Sequence, residues 1–170
     1  VRWVVLSATD EREREARASA EAFLQEAAEA TVTVERFRES YFPYLGAAIK
    51  DFFNELRTGV EPDLVFCPHR HDEHQDHRVV AELVWNTFRN HLIAEYEIPK
   101  YEGDLGQPNL FVRLPRAIAD RKLALLHEGF PSQLGKHWFR EETFFGLMAL
   151  RGVEAGAELA EAFHVRKLVT

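Results

Sequence analysis

Leu64-Val65-Phe66-Cys67-Pro68-His69-Arg70-His71-Asp72-Glu73-His74-Gln75-Asp76-His77 is the stretch that decides how this chain folds. Its first four residues form an apolar run with a β-branched member, bounded by prolines at 62 and 68, which reads as a buried strand. Beyond His77, the residues Val79, Val80, Leu83, Val84, Phe88 and Leu92 fall at helical spacing. Between strand and helix lie four of the chain's eight histidines, with three acids among them. Imidazole and carboxylate are the ligand types of hydrolytic zinc sites, and the loop that leaves a buried parallel strand is where α/β folds place chemistry. The reading is an active-site loop, with His77 in the first turn of the following helix.

The flanking sequence repeats the same grammar. Val1–Leu6 reads as a strand. Ser7 stands three residues before Asp10 as a capping signal, and Ala16, Ala20, Phe23, Leu24 and Ala27 then mark one helical face. Thr31–Arg36 alternates as a strand, and Leu45, Ile49, Phe52, Phe53 and Leu56 set a second helix that Gly59 and Pro62 end. Strands are expected again at 110–114 and 162–165, with helices at 117–127 and 141–150. Strands separated by helices of ten or more residues imply βαβ crossovers. The expected fold is therefore α/β, a Rossmann-like three-layer sandwich with a mostly parallel sheet, forming a single domain over residues 1–170.

Composition narrows the function classes. The chain has 170 residues, 46% of them hydrophobic, enough for a substantial core. A formal charge of −7 argues against a broad nucleic-acid-binding surface and favours a small-molecule substrate. No apolar run reaches the ~18 residues of a membrane span and no signal peptide is recognisable, so a cytoplasmic location is expected. The single cysteine, Cys67, ends the apolar strand and reads as a small buried hydrophobe.

Within the loop, His74 and His77 stand three apart, with Asp76 between them and Asp72 two residues before His74. Such a cluster can supply a ligand, a group that polarises a carbonyl, and a carboxylate that fixes an imidazole's tautomer. Spacing alone does not say which histidine would bind metal. Pro62-Asp63-Leu64-Val65-Phe66-Cys67-Pro68 followed by Asp72-x-His74-x-Asp76-His77-Arg78 resembles the second signature of the PIG-L/LmbE-like zinc-dependent deacetylases, which remove the N-acetyl group from N-acetylglucosamine-containing substrates. Arg12-x-x-Glu15, Lys122 through Ser132-Gln133, and Ala160-Glu161-Ala162-Phe163 also look like that family in order and spacing.

The resemblance implies zinc-dependent hydrolysis of the N-acetyl amide of an amino sugar or its conjugate. It implies His77 as a zinc ligand, His74 as the protonated group that steadies the oxyanion, Asp76 as the residue that orients His74, and Asp72 as support for the loop. It also makes a homo-oligomer the expected assembly. The family's first signature, a His-Pro-Asp-Asp-like loop that supplies the other zinc ligands and the general base, does not occur in the sequence. It is expected upstream of Val1, and with it the first strand of the sheet. The alternative is a catalytically inactive sugar-binding or scaffold relative.

Arg38 and Tyr41, in the aromatic segment 37–44, suit substrate binding at the rim. Trp138 and Arg140 form a second rim candidate. His69 and His71 read as solvated loop or pocket edge. Gln133 and Glu161 read as structural, His91 as a surface residue, His127 as a helix-end residue and His164 as strand packing.

Overall fold

The computed structural model describes residues 1–168. In chain order the elements are β1 (Arg2–Val5), α1 (Asp10–Phe23), β2 (Thr31–Val34), α2 (Gly46–Arg57), β3 (Leu64–Pro68), α3 (Gln75–Phe88), β4 (Leu92–Tyr96), β5 (Leu110–Arg113), α4 (Arg116–Gly129), α5 (Glu141–Ala155) and β6 (Ala160–His164). The fold is mixed α/β with mostly parallel strands. β1 pairs in parallel with β2, and β3 with β4; β6 alone runs against its neighbours, β4 and β5.

Local sequence explains most boundaries. α1 is capped by Thr9, whose hydroxyl accepts from the Arg12 amide at 3.4 Å, so the cap lies two residues beyond the expected Ser7. α5 ends on Gly156 at φ +62°, the left-handed turn that glycine takes without a Cβ penalty. α3 stops at Phe88, short of the expected Leu92, and Leu92 opens β4 instead. The sequence reading missed this strand because its fourth residue, Glu95, is charged yet fully buried. A carboxylate leaves water only where hydrogen bonds replace its hydration. Glu95 meets the Arg70 guanidinium, the Arg70 amide at 3.1 Å, the Trp85 indole N–H at 2.6 Å and His69 Nδ1 at 2.9 Å.

The sheet comes in two pieces, β2-β1 and β3-β4-β6-β5. Leu6, just past β1, and Cys67 of β3 nevertheless belong to one core cluster with Ile49, Phe53, Val84, Phe88 and Ile93. Burying each large side chain there contributes roughly 1.5–3 kcal/mol. α2 packs on α3 beside this cluster, whereas α4 packs on α5 around Ala119, Leu123, Met148 and Leu159 and on α1 separately. β1 and β3 are each an edge strand of their sheet. Those two edges share no ladder, and on β3 Phe66 stays 54% and Leu64 41% exposed. Leu64 and Phe66, two apart on the strand, share one face of it, and that face is partly uncovered. Cys67 is buried as expected, and burial pushes its thiol pKa up to about 12.

Two stability predictions follow from the packing. A Cβ on Gly152 would stand 2.4 Å from the Glu158 carbonyl oxygen. Ala usually stabilises a helix interior by about 1 kcal/mol, but this clash is with backbone and wins; Gly152→Ala should lower the unfolding free energy by roughly 1–3 kcal/mol in urea titration. An unchanged or raised midpoint would contradict the close approach. For Glu95, burial raises the pKa, but the bonds to Arg70, Trp85 and His69 outweigh it and hold the carboxyl at about 2, against 4.5 in the unfolded chain. Its stabilisation is therefore present above pH 4.5 and lost as pH falls from there toward 2, an effect on the order of 3 kcal/mol. Glu95→Gln should flatten the acid limb of stability in that window, and an acid limb of unchanged slope would contradict the pairing.

Candidate active site

The histidine loop leaves the carboxyl end of β3, the end of a parallel strand at which open α/β sheets bind ligands. Its base is fixed from below by Glu95, which grips His69 and Arg70. His69 is therefore not a solvated residue. It is mostly buried, stacks on His164 at 3.8 Å between ring centroids, and makes an edge contact with exposed His71.

Asp72 is buried and does more than support the loop. One oxygen accepts from the His74 amide at 2.7 Å; the other faces His77 Nδ1 at 2.9 Å and Lys100 Nζ at 3.0 Å. A carboxylate can only accept, so Nδ1 of His77 carries a proton, and in the neutral ring the lone pair is on Nε2. That is the arrangement by which a carboxylate presents an imidazole to a metal. Burial alone would lower the pKa of Lys100, but hydrogen bonds to Asp104 and Asp72 outweigh it and the net shift is upward. Asp104 in turn accepts from the Glu73 amide at 2.6 Å. Lys100 and Asp104 escaped the sequence reading, since they lie in a polar loop far along the chain and carry no motif.

Asp76 departs from its expected part. Its two oxygens accept from the Ser40 amide at 2.6 Å and the Phe42 amide at 3.1 Å, and no contact to His74 is made. Asp76 thus ties the rim segment to the start of α3, helped by Gln75 Nε2 donating to the Ser40 carbonyl at 2.6 Å. Ser40 sits at φ +65°, a conformation that costs a non-glycine residue about 1 kcal/mol or more and persists where surroundings enforce it. The clamp holds the segment that carries Arg38 and Tyr41, the guanidinium lying 3.6 Å over the Tyr41 ring.

His74 and His77 lie side by side, 4.6 Å between ring centroids. Nδ1 of His74 is buried with no hydrogen-bond partner among the described residues. An unsatisfied buried nitrogen costs roughly 1–3 kcal/mol, so it marks a place where a bound group would be welcome. For zinc the fit is incomplete. His77 offers one well-oriented nitrogen, yet no three His, Cys, Asp or Glu side chains converge on a metal position among the described residues.

The other family-like residues meet in pairs. Arg12 bonds Glu15 at 2.8 Å, and Glu15 accepts from both the amide and the hydroxyl of Ser132 at 2.7 Å. Lys122 pairs with Glu161. Trp138 lines a second hollow of about 300 Å³ with Lys100, Tyr101 and Asp104, next to the Asp72 network. Gln133 is buried, as expected of a structural residue.

In sequence, residues 4–88 match the PIG-L family, described as GlcNAc-PI de-N-acetylase. No curated protein matches the chain. Among solved structures, N,N'-diacetylchitobiose deacetylase from Pyrococcus horikoshii superposes with a TM-score of 0.68 at 19% identity, over 97% of this chain and 72% of that one. A deacetylase of teicoplanin biosynthesis gives 0.69 at 14% identity, over 91% and 71%. The 4-carboxy-2-hydroxymuconate hydratase of Pseudomonas putida gives 0.68 at 16% identity, over 99% and 85%. These likenesses establish the fold, which serves more than one chemistry. With its central signature folded at the carboxyl end of β3 and half its length matched in sequence, the chain belongs to the PIG-L family of de-N-acetylases.

Proposed function

We propose that this chain carries the second half-site of an amidohydrolase that removes the N-acetyl group from an N-acetylglucosamine-type sugar or conjugate. The observation that carries this reading is the imidazole pair: His77 oriented by Asp72 with Nε2 open, and His74 alongside with an unsatisfied nitrogen. Family membership and deacetylase neighbours support the same reaction class. In this reading His77 is a zinc ligand. Because the described residues do not complete a zinc shell, the derivable chemistry is that of the chain's own groups.

Hydrolysis of an amide passes through a tetrahedral oxyanion, and the catalyst must favour that charge over the neutral carbonyl. His74, when protonated, is the donor for it. Asp72 holds His77 in one tautomer and one direction, and Lys100 and Asp104 keep Asp72 from turning away. Asp76 acts at one remove, by setting the rim that carries Arg38 and Tyr41, which we assign to sugar hydroxyls and the sugar's apolar face. The second reading, a sugar-binding relative without catalysis, draws on one observation, the absence of a three-ligand cluster among the described residues.

The test couples acetate release from N-acetylglucosamine conjugates with elemental zinc analysis of the same samples. In a protein that also carries the first signature, His77→Ala should abolish tight zinc binding, whereas His74→Ala should keep the metal and lower turnover roughly 10²–10³-fold, the size expected for an oxyanion stabiliser. Equal metal retention in both variants would contradict these roles. Sugar binding by calorimetry, with neither zinc nor acetate release in the unmodified protein, would favour the binding relative. Asp76→Asn should raise KM more than it lowers kcat, because it loosens the rim and leaves the imidazoles in place.

A further inference from the structure

A hollow of about 710 Å³ runs along α3, and neither His74 nor His77 lines it. Its volume is that of an ordinary small-molecule site. Its walls are unusual for a chain of net charge −7: Arg70, Arg78 and Arg166 all line it, with His71, Gln75 and Trp85 between them.

The guanidiniums are held before any ligand arrives. Buried Glu95 grips Arg70 and also accepts the Trp85 indole N–H at 2.6 Å, so one carboxylate fixes both a cation and the ring beside it. Arg70 and Arg166 lie over the Trp85 ring, at 4.9 and 4.4 Å from its centroid. Arg78 donates Nη1 to the Asp72 and Glu73 carbonyls at 3.0 and 2.5 Å, leaving its other nitrogens for the groove, with the Glu73 carboxylate 3.8 Å away. Glu95 cancels Arg70, and Glu82 is the one acid on the lining itself. Arg166 has no carboxylate partner among the described residues. With Arg70 paired to Glu95, Arg78 and Arg166 supply the groove's positive charge, and an anion there would take the guanidinium fork's parallel hydrogen bonds. Ordering these side chains in advance lowers the entropic cost of binding.

We propose that this groove binds the phosphate group of a soluble phosphorylated small molecule. The proposal uses neither His74 nor His77, and its test does not depend on deacetylation. Inorganic phosphate, titrated into the full chain by calorimetry against sodium chloride of matched ionic strength, should bind saturably at millimolar concentration. Arg166→Gln should weaken it about tenfold, the loss expected for one charge-assisted contact. Arg166 is exposed and outside every helix and strand, so this variant should fold, which circular dichroism checks. Glu82→Gln removes the opposing charge and should tighten binding two- to threefold. Absence of saturable binding, or equal affinity in wild type and Arg166→Gln, would overturn the proposal. So would attachment only to phosphatidylcholine vesicles containing phosphatidylinositol, which would assign the groove to a membrane surface.

Discussion

A carboxylate taken out of water must be given hydrogen bonds, and three such carboxylates shape this molecule around its histidines. Glu95 rises from the middle of β4 and gathers His69, Arg70 and Trp85. Asp72 gathers His74, His77 and Lys100, and Asp76 gathers the amides of Ser40 and Phe42. Each acid would be costly if left alone, so satisfying it fixes a direction for whatever it touches. The loop between β3 and α3 is consequently pinned at its root, its middle and its exit. Imidazole orientation, on which any metal or oxyanion chemistry depends, is a by-product of burying acids correctly.

The second constraint is the break in the sheet. β1 and β3 line one core without pairing, and the histidine loop opens next to that break. The carboxyl ends of parallel strands are where open α/β sheets place their ligand loops, which explains why a site can form here. The packing of α2 on α3 and the buried cluster from Leu6 to Ile93 keep both strands in position without a shared ladder.

Much of this was legible in the residues. Period-3.6 stripes located α1, α2, α4 and α5, and apolar runs located five of the six strands. The strand–loop–helix around His74 and His77 could be read from composition alone. β4 was hidden because Leu-Ile-Ala-Glu-Tyr is short and contains a charge, and nothing local reveals that Arg70, twenty-five residues earlier, neutralises it. The division of labour between Asp72 and Asp76 was hidden for a related reason. Sequence places Asp76 beside both histidines, but residue i of a helix's first turn and residue i+1 point in different directions. Asp76 therefore faces the 38–44 segment, while Asp72, five residues before His77, reaches back to it through the turn. Lys100 and Asp104 belong to the same network and could not be found without the fold.

The central claim is that Asp72 holds His77 with its Nδ1 protonated and its Nε2 lone pair turned outward. Long-range ¹H–¹⁵N correlation spectra of the histidine side chains near neutral pH report this directly. A His77 ring with a protonated Nδ1 and an unprotonated Nε2, converting to the opposite tautomer or to a mixture in Asp72→Asn, is the predicted result. An Nε2-protonated His77 in the unmodified protein, unaffected by that substitution, would contradict the arrangement on which the functional reading rests.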